Sequence, residues 1–147
     1  MTIKEINDIV NERCDGLVFT DSPFTSPLWH ARFYMAEGML KMAELANSLI
    51  EPIENPDKEE MATCYYDSDY YDDRVSVVTI HMGGRQELYK CHTIFFVQLR
   101  KEGAEQWETH LTSLYENRFT DMDCLTVELS NAKEGDRYEV RVKKMED

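Results

Sequence analysis

"ELYKCHTIFFVQLRK", residues 87–101, is the stretch on which the fold turns. It is rich in aromatic and β-branched residues, and Gly103 closes it, so it reads as one long strand. Alternation puts Tyr89, Cys91, Thr93, Phe95, Val97 and Leu99 on one face. Leu88, Lys90, His92, Ile94, Phe96, Gln98 and Arg100 fall on the other. The first is a core face. The second is mixed, as expected of a face half covered by other elements.

Outward from this strand, "VSVVTIHM" (75–82) is a second β-rich run, and Gly83-Gly84 marks the turn between them. Downstream, Trp107, Leu111, Leu114 and Tyr115 recur at helical spacing and predict a helix over about 104–117. "CLTVELS" (124–130) and "RYEVRVKK" (137–144) then alternate cleanly around "NAKEGD", which predicts a hairpin. Its inner face would carry Leu125, Val127 and Leu129 against Tyr138, Val140 and Val142.

Two helices precede the strands. Thr2 and Glu5 have capping-box spacing ahead of Ile3, Ile6, Ile9 and Val10, and Asp15-Gly16 supplies a stop. Residues 17–27 read as a short extended piece and a loop. Ser26-Pro27 starts a helix of about 27–50, ended by Pro52. Trp29, Phe33, Leu40 and Ala43 form its stripe, flanked by Met35, Met39, Met42, Ala46 and Leu49. So broad a stripe suggests cover on more than one side. The order α, α, connector, ββ, α, ββ predicts an α+β fold: two N-terminal helices, then ββαββ with an antiparallel sheet and helices packed on one face. A length of 147 residues fits a single domain, residues 1–147.

The connector, residues 51–73, has no apolar periodicity. It holds nine of the 29 acidic residues and one base, Lys58, in a chain of net charge −13. Its end reads "CYYDSDYYDD" (64–73). Asp67, Asp69 and Asp73 match positions 1, 3 and 7 of a calcium loop. Asp72 and Val78 stand where that loop needs Gly and Glu, so no metal site is expected there. Tyrosines offer rigid contact area at low entropic cost, and an arginine can stack on a ring while pairing with a carboxylate. Tyr65, Tyr66, Asp67, Asp69, Tyr70, Tyr71, Asp72 and Asp73 therefore form the candidate partner-binding set, for a basic protein partner. A solvated linker is the rival reading.

Other chemistry finds little support. Cys91-His92 is the close Cys/His pair, and neighbours on a strand point to opposite faces, so no metal centre is expected. His30, His81 and His110 lie on separate elements. No nucleophile elbow, phosphate loop or dinucleotide fingerprint occurs, and Cys91 and Cys124 read as buried strand thiols. No catalytic residue and no cofactor is assigned, and an enzyme without a recognisable motif ranks third. The negative charge disfavours direct binding to nucleic acid or anionic lipid. "MTIKEINDIV" lacks a signal-peptide pattern, no run of 18 apolar residues occurs, and Cys14, Cys64, Cys91 and Cys124 are widely spaced. A cytoplasmic chain with reduced thiols and no membrane association is the expectation.

The pattern of "VSVVTIHM", glycine loop, "YKCHTIFFVQLRK", "AEQWETHLTSLYENRF", "CLTVELS" and "RYEVRVKK" resembles the tail-terminator and head–tail joining proteins of tailed bacteriophages. Those also begin with a short helix, as "IKEINDIVNERC" does here. The resemblance covers residues 74–144, and the long second helix and the acidic connector depart from it. It implies an oligomeric, non-enzymatic virion assembly component, in the host cytoplasm or the virion, whose loops and sheet edges meet neighbours. The alternative is a small acidic inhibitor of the anti-restriction or anti-CRISPR kind, a partial nucleic-acid mimic with carboxylates in place of phosphates. Concentration of charge in one connector, and the basic residues Arg137, Arg141, Lys143 and Lys144, weigh against the mimic.

Overall fold

The computed structural model describes residues 1–17, 27–47, 49–70, 73–82, 93–113 and 124–146, with residues 68–70, 73 and 74 described through their backbone. The chain is a mixed α+β protein. Among the described residues it has two helices, α1 (Ile3–Cys14) and α2 (Pro27–Leu45), and seven strands. These are β1 (Lys58–Thr63), β2 (Tyr65–Tyr70), β3 (Asp73–His81), β4 (Ile94–Lys101), β5 (Glu108–Ser113), β6 (Cys124–Leu129) and β7 (Arg137–Lys144). They build two antiparallel sheets, one ordered β1-β7-β4-β5 and the other β2-β3-β6.

β4 sits inside the larger sheet, between β7 and β5, and both its faces are covered. Phe95, Val97 and Leu99 face the smaller sheet, with Val78, Ile80, Leu125, Val127, Val140 and Val142. Ile94 and Phe96 face the helices, with Ile6, Val10, Trp29, Phe33 and Leu40. The layers therefore run helices, large sheet, small sheet. Phe95 and Phe96 are both fully buried, on opposite faces of one strand. Each contributes about 2–3 kcal/mol of burial, so β4 ties the two cores together. Residues 87–92 of the predicted strand, and the Gly83-Gly84 turn, lie outside the described residues.

α1 begins as the sequence predicts: Thr2 Oγ1 accepts from Glu5 N at 3.1 Å and Glu5 accepts from Thr2 N at 2.7 Å. α2 ends earlier than predicted, at Leu45 rather than near residue 50. Asn47 takes a left-handed φ of 53° just beyond it, a conformation asparagine tolerates and one that terminates helices.

Three further expectations are corrected. The 51–73 segment is not wholly connector, because β1 and β2 lie within it. β1 is an edge strand with no fully buried residue, so it left no apolar alternation to detect. The helix expected over 104–117 does not form across its described part, 104–113, where Glu108–Ser113 make strand β5. Trp107 and Leu111 suit either period, and pairing with β4 from Ile94↔Ser113 to Leu99↔Glu108 decides the outcome. Lastly, β6 and β7 do not form a hairpin: β6 pairs with β3, and β7 lies between β1 and β4. Leu125, Val127 and Leu129 still share a core with Tyr138, Val140 and Val142, but across the two sheets.

Candidate interaction surface

β1 and β2 are one extended run that changes sheets at Cys64. Cys64 is buried; its N–H donates to Asp136 O at 2.8 Å and its carbonyl accepts from Gly135 N at 2.9 Å. Burial pushes its thiol above the ordinary range. The loop between β6 and β7 thus pins the corner, with Ser76 Oγ donating to Ala132 O at 2.8 Å. Among the described strands β1 and β2 are both outermost, so residues 58–70 form a single edge that continues from one sheet to the next. Edge strands leave backbone groups free for another chain.

On this edge the tyrosines divide. Tyr65 lies opposite Val77 and Asp67 opposite Val75, which places them on the outward face of the small sheet. Tyr65 Oη and Thr79 Oγ1 are 2.6 Å apart, so the Tyr65 hydroxyl is tied to β3. Tyr66 lies opposite Ser76 and points to the other side. Tyr65 is 39% and Tyr66 37% exposed. Register slips between Asp67 and Tyr70, a bulge of the kind that bends an edge strand. Tyr70 pairs with Asp73 and Asp69 lies within the bulge, while Tyr71 and Asp72 lie outside the described residues. The structure therefore brings Tyr65, Tyr66 and Asp67 to one short edge, but on two faces.

The outer face of the large sheet carries a cluster that sequence reading missed. The Arg100 and Arg141 guanidinium carbons lie 4.6 and 4.9 Å from the Trp107 ring centroid. Arg141 Nε is 3.2 Å from Glu59 Oε1, and Arg100 Nε donates to Glu139 Oε2 at 3.0 Å. Against this cluster lies the acidic strap 51–57. Gln98, fully buried, accepts from Ile53 N at 2.7 Å and donates to Glu51 O at 3.0 Å and to Thr109 Oγ1 at 3.2 Å. Arg141 Nη1 donates to Ile53 O, Lys143 Nζ to Asn55 O, and Lys144 N to Asp57 Oδ2. An open cleft of about 610 Å³ lies between Glu51–Pro56, Glu59 and Arg141. The basic strand β7 thus holds the acidic segment through one ion pair, Arg141 to Glu59, and through hydrogen bonds to Ile53 O, Asn55 O and Asp57. Sequence could name Arg141 and Trp107 separately, but their meeting depends on long-range registers.

Among the described residues, no group of three or more His, Cys, Asp or Glu side chains is placed to hold a metal ion. Cys124 is buried, as its strand position predicts, with its Sγ 3.0 Å from His81 Nδ1 on the neighbouring strand. No helix among the described residues is long and apolar enough to cross a membrane. No protein-family model, curated protein or solved structure matches the chain.

Proposed function

We propose that this is a non-enzymatic interaction and assembly protein, of the head–tail or tail-joining kind, that docks a basic protein partner on the β1–β2 edge. One observation carries the reading: among the described strands β2 is outermost, and it presents Tyr65 and Tyr66, each more than a third exposed, beside Asp67. A strand added to this edge would take its backbone hydrogen bonds from β2 and its side-chain contacts from the tyrosines. Arginines on it would stack on the rings and pair with acids. Support for the acidic-inhibitor alternative is weaker, because Glu59 and Asp57 already have partners on β7. Support for the phage-type element order also weakens at β5, where the resemblance expects a helix.

The test is calorimetric titration with a synthetic peptide of alternating arginine and valine. The Tyr65→Ser/Tyr66→Ser variant keeps every charge, so it separates docking from general attraction to a chain of charge −13. We expect affinity to fall roughly tenfold or more in the variant. Equal affinity for both proteins would sink the reading.

A further inference from the structure

We propose that the outward face of α2 is the interface of an antiparallel homodimer, with the two helices crossing at Gly38. α2 turns Trp29, Phe33, Ala36, Leu40 and Ala43 toward the rest of the chain, and all are buried. On the opposite side, residues 34, 38, 42 and 45 follow helical spacing and form one ridge. Tyr34, Met42 and Leu45 on that ridge are 64%, 69% and 85% exposed. The ridge carries no charge, and such a surface on a helix usually meets a partner.

Gly38 and the flanking charges say what that partner is. A mid-helix glycine destabilises a helix relative to alanine. A Cβ at Gly38 would meet nothing within 4 Å, so packing within this chain does not require the glycine. A second helix crossing closely there does, since side-chain size at the crossing sets the distance between axes. A two-fold axis at Gly38 places Tyr34 opposite Met42 of the second copy, a favourable sulfur–aromatic pair.

Glu37 and Lys41 lie together on one flank of the ridge, paired within the helix at 2.8 Å. The same two-fold brings each Lys41 to within about 3 Å, along the axis, of Glu37 of the second copy. A parallel two-fold would instead carry the two Glu37–Lys41 flanks to opposite sides of the pair, where Lys41 meets no carboxylate of the second copy's flank. Charge complementarity therefore selects a second, antiparallel copy. Because each chain carries −13, the dimer tightens as salt screens general repulsion. Docking of a basic partner on the β1–β2 edge weakens with salt, so the two proposals respond in opposite directions.

Light scattering on the full chain at about 0.5 mM protein, in about 0.15 M and about 1 M salt, reads the state directly. A dimer is expected, with more of it at high salt. Met42→Glu/Leu45→Glu changes exposed positions only, so it should keep the circular dichroism of the parent and run as a monomer. Gly38→Cys should form a disulfide between copies under mild oxidation. Four results would overturn the proposal: a monomer in both salts, a dimer that survives Met42→Glu/Leu45→Glu, no disulfide from Gly38→Cys in a dimeric sample, or binding of the face to zwitterionic lipid vesicles by a chain that stays monomeric.

Discussion

Gln98 shows how a single polar side chain can hold a charged segment against a sheet. Both ends of its amide are engaged, and two of its three partners are backbone groups of the 51–57 strap. Replacing it with leucine keeps the volume but strands Ile53 N and Glu51 O, at about 1–3 kcal/mol for each buried group left unpaired. We expect Gln98→Leu to lower the urea midpoint markedly without changing the β content. Alternation placed Gln98 correctly on the mixed face of β4, yet its partners come from residues 51, 53 and 109, which no local pattern connects to it. Asp136 gives a pH prediction. The Lys133 backbone N–H at 3.0 Å, and then Lys101, hold its carboxyl below the ordinary 3.8. A depressed carboxylate stabilises the fold above its unfolded value, and the benefit is lost as pH falls through the lower folded value. Stability should therefore fall below about pH 4, and Asp136→Asn should lose less over that window in acid titrations followed by tryptophan fluorescence.

At the scale of elements, local chemistry wrote some pieces plainly. α1 has its capping box where Thr2 and Glu5 predict it, and Thr2→Ala should cost about 1 kcal/mol in thermal melts. β4 was legible because both of its faces are apolar enough to demand cover. β5 was not, because Trp107 and Leu111 lie four residues apart and satisfy a helix as well as a strand. β1 was not, because as an edge strand it buries nothing fully. The β6 and β7 faces were right and their partnership was wrong, since alternation reveals which side of a strand is buried but not which neighbour it pairs with. The same limit applied to the candidate site. Tyr65, Tyr66 and Asp67 were found as an acidic tyrosine run, but that they lie on an open edge, and on two sides of it, depends on pairing with β3.

At the scale of the whole molecule, the described residues form three layers: helices, a four-stranded sheet and a three-stranded sheet, with β4 joining both cores. Its strong negative charge is not spread evenly, because the cations of β7 are set against the acidic strap and β1. The two surfaces proposed for partners, the outer side of α2 and the β1–β2 edge, lie at different places on the fold. The edge is the central claim, and hydrogen–deuterium exchange reads it most directly. Added arginine–valine peptide should slow exchange at amides within residues 58–70, leave α1 and α2 unchanged, and lose this effect in Tyr65→Ser/Tyr66→Ser. Protection that spares residues 58–70 and appears elsewhere on the surface would contradict the account.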